Sequence, residues 1–211
     1  MKNNFCILID DSNDWIRPFA IKYLKSINLD PKLKILNNPN QIKEFETCFV
    51  LGYTKILSKE ELQKSCKYFV VHESSLPDGR GFAPLFWQVI EGKNIIETCL
   101  IELDFPVDSG RIVLKETIKL NGTELYNELR SNQAKATFSL IDKYLKSSSI
   151  SYEIQTGNGS TYRKRNKLDS KLDINKSIAS QFNLLRTCNN EEWPAYFEIN
   201  NKKYCLKIFE K

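Results

Sequence analysis

The 211-residue chain has a single histidine, and none of its six cysteines lies close to another in sequence. Cys6, Cys48, Cys66, Cys99, Cys188 and Cys205 form no C-x-x-C pair, and one histidine cannot complete a Cys/His zinc set, so no metal is expected. Most of these cysteines sit inside apolar runs such as Phe5–Ile9 and Tyr204–Phe209, where a free thiol behaves as a small hydrophobe; reduced, structural thiols are expected. No apolar stretch reaches 18 residues, which argues against a transmembrane helix. The opening run Met1–Ile9 is too short, and too quickly followed by Asp10–Asp11, to read as a signal peptide. The expectation is a soluble, cytoplasmic protein that engages no membrane. Neither sign of charge dominates: 31 Lys and Arg against 26 Asp and Glu leave +5, most of it in the last third. That surplus gives little support to a generic nucleic-acid surface, so no nucleic-acid partner is expected. There is no Gly-x-Ser-x-Gly elbow, internal repeat or low-complexity tract. Hydrophobic residues at 41% and aromatics at 11% exclude disorder for most of the chain, and the length fits one ordinary domain with a sizeable core.

Short apolar runs alternate with amphipathic segments. Phe5–Ile9 reads as a buried strand that ends in the polar loop Asp10–Asp14. Trp15 to Ile27 carries Ile16, Phe19, Ala20, Tyr23, Leu24 and Ile27 at helical spacing. Lys32–Leu36 is a second strand, Asn37–Asn40 a turn, Cys48–Leu51 a third strand, and Ser58 with Glu61 a capping box opening a helix. Tyr68–Val71 is a fourth strand with His72 directly after it. A helix at Pro84–Glu91 precedes a hairpin of Ile95–Leu103 and Arg111–Leu120, and Thr123–Lys146 reads as one long helix. Asn175–Arg186 is a last helix, before two strands, Ala195–Ile199 and Lys203–Phe209, joined at Asn200–Asn201. The alternation predicts an α/β fold: a Rossmann-like, doubly wound, mostly parallel sheet, residues 1–150, with a C-terminal helix-plus-hairpin extension, 151–211. Ligands of such sheets bind beyond the carboxyl ends of the strands, where Asp10–Asp11, Gly52–Tyr53–Thr54 and His72–Glu73–Ser74 fall.

The densest stretch is His72–Glu73–Ser74–Ser75–Leu76–Pro77–Asp78–Gly79–Arg80–Gly81–Phe82–Ala83–Pro84, followed later by Asp108–Ser109–Gly110. It resembles the signature of the folate-dependent formyltransferases: Asn-x-His-x-Ser-Leu-Leu-Pro, then Arg-Gly-x-x-Pro, then Asp-x-Gly. The tail extends the resemblance through Thr161–Arg165 with Asp169–Ser170, Asn183–Arg186 and Trp193–Phe197, and looks most like the single-domain enzymes that formylate nucleotide-linked amino sugars. The resemblance implies formyl transfer from 10-formyltetrahydrofolate, with His72 relaying the proton and Asp108 holding the imidazole and stabilising its charged form. A histidine suits that task because its ordinary pKa of about 6.5 lies near working pH. An imidazole capping a strand end, and an aspartate making a turn, are the plain structural alternatives.

One position departs from the signature. The family's Asn, two residues before the histidine, is Val70 here, and valine cannot donate to a developing oxyanion. Ser74 or Ser75, a backbone N–H or protonated His72 would have to substitute. For the folate, the resemblance points to Leu51, Gly52 and Tyr53, to Leu76, Arg80 and Gly81, and to Leu103, Phe105 and Val107, gripping largely through main chain. For the acceptor, Arg163, Lys164 and Arg165 suit a nucleotide diphosphate, and Asp10, Asp11 and Trp15 could stack a base or sugar and attract an ammonium. A UDP-linked 4-amino-4,6-dideoxy sugar, made for surface glycan biosynthesis, is the expected acceptor, with the C-terminal hairpin a candidate homodimer surface. The alternatives are an inactive nucleotide-sugar or folate binding module, a glycinamide ribonucleotide formyltransferase and a Ser/Cys hydrolase; a methionyl-tRNA formyltransferase is disfavoured by the short chain and modest basic charge.

Overall fold

The computed structural model describes residues 4–27, 34–55, 57–58, 62 and 65–211. The helix expected to open at Ser58–Glu61 falls largely outside the described residues. The chain runs β1 (Phe5–Ile9), α1 (Arg17–Ser26), β2 (Lys34–Leu36), β3 (Thr47–Leu51), β4 (Lys67–His72), β5 (Arg80–Gly81) and α2 (Pro84–Ile90). It continues through β6 (Ile95–Glu102), β7 (Ile112–Lys119), α3 (Tyr126–Lys146), β8 (Thr161–Tyr162), α4 (Phe182–Arg186), β9 (Ala195–Ile199) and β10 (Lys202–Leu206).

Six strands form one sheet in the order β2-β1-β3-β4-β6-β7. The first four are parallel, and β6 runs antiparallel to both of its neighbours. The strand order reverses at β1, with β2 on one side and β3 on the other, the place where doubly wound sheets open a crevice. Ile9 lies opposite Leu51 and Val50 opposite Val70, so Asp10, Gly52 and His72 reach the same edge. This is the expected α/β architecture, mostly parallel, with the small C-terminal hairpin β9–β10 attached.

Strand alternation divides the core. Phe5, Ile7, Ile9, Phe49, Leu51, Phe69 and Leu100 face α1 and α3, while Cys6, Leu8, Cys48, Val50 and Tyr68 pack on the other side with Ile42 and Leu57. Tyr144 anchors α3, its ring centroid 5.7 Å from that of Phe49 and 4.5 Å from that of Phe69. Each such fully buried ring is worth about 1.5–3 kcal/mol, more than helix propensity supplies to a whole helix in isolation. All six cysteines are free, and Cys6, Cys48 and Cys66 share one buried cluster. No helix among the described residues is long and apolar enough to cross a membrane.

Several boundaries differ from the sequence reading, and the last strand, expected at Lys203–Phe209, spans Lys202–Leu206. α1 starts at Arg17 rather than Trp15, because Asp11–Asn13 forms a 3-10 turn and Pro18, which has no N–H, fits only the first turn. The turn expected at Asn37–Asn40 is a 3-10 helix, Pro39–Glu44, capped by the Asn38 side chain. The helix expected at Asn175–Arg186 shrinks to a 3-10 turn at Ala179–Gln181 followed by α4. There Asp173 accepts from Asn175 N–H and Ser177 Oγ from Ser180 N–H, local bonds that compete with a helix. The β9–β10 turn follows the reading: Asn200 and Asn201 take φ of 48° and 63°, the double left-handed pair of a tight hairpin.

Candidate active site

His72 ends β4 and is 5% exposed. Its Nε2 lies 2.8 Å from the Gly79 carbonyl oxygen. A carbonyl only accepts, so Nε2 carries the hydrogen and the neutral ring keeps its basic lone pair on Nδ1. Nδ1 faces Asp108 Oδ1 at 3.6 Å, too long for a hydrogen bond. The other oxygen, Oδ2, accepts from the Gly81 N–H at 2.9 Å. Asp108 itself stands at φ 60°, a left-handed conformation rare for a residue with a side chain. The turn requires Gly110: a Cβ there would lie 1.8 Å from the Glu102 carbonyl oxygen.

The loop after His72 is held from the tail. β5 pairs with β8 in parallel, Gly79 N–H donates to Ser160 Oγ at 2.9 Å, and Arg80 N–H to Ser160 O at 3.0 Å. Arg80 also donates through Nε and Nη2 to Gln155 Oε1, and Gln155 Nε2 donates to the carbonyls of Asp108 and Gly110.

Val70 shares the His72 face, two residues back, and is partly buried with Tyr53, Leu103 and Leu76 near it in two adjoining apolar clusters. Leu51 is buried within the core, Phe105 is half-buried, and Val107 is 51% exposed. Gly52 at φ 61° gives its carbonyl to Asn13 Nδ2. Of the two serines, Ser75 donates to Glu97 at 3.2 Å, whereas Ser74 Oγ is buried with no hydrogen-bond partner among the described residues. Glu73 is 8% exposed; burial pushes its carboxyl above the ordinary value, opposed by the Gln133 amide that donates to Oε1 at 2.7 Å.

The residues read as acceptor contacts make bonds of their own. Asp10, at the end of β1, accepts from Thr54 Oγ1 at 2.5 Å and from Ser12 N–H at 3.0 Å, and these bonds, the Thr54 hydroxyl first, hold its pKa at about 2. Asp11 is exposed and pairs with Arg17 and Asn37. Trp15 packs edge-on to Phe19 and carries the Arg130 guanidinium 4.2 Å above its ring. Arg163 is paired with Asp169, and Lys164 is exposed near Phe82. Arg165 stacks 4.8 Å from the Trp193 ring centroid and donates through Nη1 to Thr187 O; burial pulls its guanidinium down, and its Nε and Nη2 are buried with no hydrogen-bond partner among the described residues. Sequence reasoning missed Gln155, Gln133 and Arg130. Gln155 lies in an irregular segment with no periodicity, and the two α3 residues read as an ordinary polar face.

No family model matches the chain. A methionyl-tRNA formyltransferase from Thermodesulfovibrio yellowstonii is 31% identical over 181 residues, 83% of this chain and 56% of that protein. The chain thus spans about half the length of the curated relatives it matches. In fold, it resembles a methionyl-tRNA formyltransferase from Clostridium thermocellum (TM-score 0.81, 20% identity, 95% of this chain and 89% of that one). It also resembles a sugar N-formyltransferase from a Shewanella species (TM-score 0.71, 14% identity, 99% and 98%). A third likeness is to HypX from Aquifex aeolicus in complex with tetrahydrofolic acid (TM-score 0.73, 12% identity, 99% and 38%).

Proposed function

The chain belongs to the formyltransferase family, and from that premise we propose that it moves a formyl group from 10-formyltetrahydrofolate to the amino group of a nucleotide-linked amino sugar. The observation that carries this reading is the aim of His72: Nε2 is committed to Gly79 O, and Nδ1 stands 3.6 Å from Asp108 Oδ1. As the acceptor nitrogen bonds to the formyl carbon it must shed a proton, and His72 Nδ1 is the base that takes it. Asp108 stabilises the resulting imidazolium, and the same nitrogen returns the proton to the folate nitrogen as its bond to the formyl carbon breaks. Such relay contributes about 10²–10⁴-fold.

The oxyanion needs a donor that Val70 cannot supply. Ser74 fills this role: a buried hydroxyl with no partner is costly unless something uses it, and Ser75 is already given to Glu97. The half-buried apolar side chains of Tyr53, Val70 and Leu103 suit the flat face of a pterin, with the main chain of 51–53, 76–81 and 103–108 to hold its edge. Lys164 and Arg165 remain for an acceptor's phosphates, since Arg163 is engaged by Asp169. A UDP-linked 4-amino-4,6-dideoxy sugar is the acceptor this reading favours, supported by the sugar N-formyltransferase fold that the chain covers to 98%.

Methionyl-tRNA is the second reading, favoured by the 31% identity to that enzyme. Incubating the protein with 10-formyltetrahydrofolate and, separately, UDP- and dTDP-linked amino sugars, glycinamide ribonucleotide and charged methionyl-tRNA decides among them. Tetrahydrofolate released only with an amino sugar supports the proposal; release only with the tRNA replaces the acceptor, and binding without release in any arm refutes catalysis.

A further inference from the structure

We infer that Gln155 is a positioning residue for the His72–Asp108 pair; its catalytic consequence rests on the formyl transfer proposed above. A carboxamide has two lone-pair sites and two N–H groups, and Gln155 uses all four inside the site. Its Oε1 accepts from Arg80 Nε at 3.2 Å and Nη2 at 2.6 Å, and its Nε2 donates to Asp108 O and Gly110 O, each at 2.8 Å.

Each of these partners adjoins an atom that aims the pair. Arg80 stands between Gly79, whose carbonyl fixes His72 Nε2, and Gly81, whose N–H fixes Asp108 Oδ2. Asp108 holds a left-handed φ of 60° that its own side chain disfavours, and gathering the carbonyls of residues 108 and 110 onto one amide supports that bend. Gln155 is itself set in place: Glu153, two residues earlier, makes reciprocal backbone bonds with Ile112 at 2.8 Å, just beyond the turn that carries Asp108. One side chain from the tail therefore locks the two loops that present the imidazole and the carboxylate. It touches neither group, so its effect is on their mutual placement.

Two variants separate the halves of the clamp. Gln155→Leu keeps the approximate volume and removes every hydrogen bond. Gln155→Glu keeps an acceptor for Arg80 but has no N–H for the two carbonyls. The expected result is a kcat at least about tenfold lower in both, with the KM for 10-formyltetrahydrofolate within about threefold, because misplacement by a fraction of an ångström costs rate before binding. The chain has a single histidine, so its NMR titration reads His72 directly and without substrate. Asp108 and the buried Glu73 are titratable groups beside that ring. Gln155→Leu should move the titration, and the pH profile of kcat, in the same direction as Asp108→Asn. A Gln155→Glu protein with wild-type kcat overturns the inference, as does a Gln155→Leu protein that loses thermal stability but leaves the titration and pH profile unmoved. If the wild type turns over no acceptor, the formyl-transfer reading fails, while the titration still decides whether Gln155 places the pair.

Discussion

Asp10 offers the sharpest test of whether a residue at the sheet's crevice serves the ligand or the fold. It is 6% exposed, and its carboxylate ties the end of β1 to the loop after β3 through Thr54, while capping the turn at Ser12. Those bonds lower its pKa from 3.8 to about 2. At about 1.36 kcal/mol per pKa unit the drop corresponds to about 2.4 kcal/mol, which screening at the water-facing strand end reduces to about 1–2 kcal/mol. Because the folded-state value is the depressed one, this stability is present above pH 3.8 and is lost as pH falls through 3.8 toward 2. Asp10→Asn keeps the shape and removes the charge, so urea unfolding should show it about 1–2 kcal/mol less stable at pH 7. The gap to wild type should narrow as pH falls from 5 to 3. The KM for the acceptor should change less than about twofold, since the carboxylate's oxygens are already spoken for. A gap that stays constant with pH, or an acceptor KM that rises tenfold with stability intact, would refute this account.

Other substitutions probe the remaining parts. His72→Asn should lower kcat by about 10²–10⁴-fold and Asp108→Asn by about 10²-fold, with circular dichroism and folate binding retained; near-normal turnover by either removes the proposed proton relay. Ser74→Ala should cost about 10²-fold in kcat and Ser75→Ala less than about threefold, so a reversed order would assign the oxyanion elsewhere. Glu73→Gln should be at least as stable as wild type at pH 7. Burial raises the carboxyl's folded pKa above its ordinary 4.5, so wild type carries a penalty that is absent below 4.5, builds as pH rises from there to the folded value and is complete above it; denaturant melts from pH 4 to 8 that show the variant weaker at pH 7 refute this. Gly110→Ala should disrupt the Asp108 turn, visible as lost turnover and a lower Tm, because its Cβ would lie 1.8 Å from Glu102 O.

The strands and the long helix were legible because burial imposes a period. β1 occupies Phe5–Ile9, the whole of the continuous apolar run, and the β6–β7 hairpin starts at the expected Ile95 and departs by one residue at its other three strand ends. α3 starts three residues inside its expected limit. Where side chains bond their own backbone, as at Asp173 and Ser177, the apolar period overstates the helix. His72 was legible as a polar group directly after an apolar strand. Asp108 was not reachable by periodicity: Asp-Ser-Gly announces a turn, but its approach to His72 depends on the left-handed backbone and on Gly110 passing the Glu102 carbonyl. The resemblance to the family, not the local pattern, linked the two. Gln155 left no trace at all, because hydrogen bonds between irregular segments follow no spacing.

The distribution of these constraints explains why the tail belongs to the chemistry of the site and not merely to its surroundings. Strand β4 fixes where His72 sits, but a strand end leaves the ring free to turn about its side-chain torsions. Its direction comes from Gly79 O, and the direction of Asp108 comes from Gly81 N–H. Both glycines lie on a loop that has no helix or long strand of its own. That loop takes its shape from Ser160, which receives the Gly79 N–H and the Arg80 N–H, and from β8. Close packing enforces the match: a Cβ on Gly81 would come within 2.3 Å of Tyr162 O, and one on Gly159 within 2.1 Å of Pro77 O. The sheet thus supplies position and residues 155–162 supply aim, so the 3.6 Å between His72 Nδ1 and Asp108 Oδ1 is set by the tail as much as by the strand that carries the imidazole.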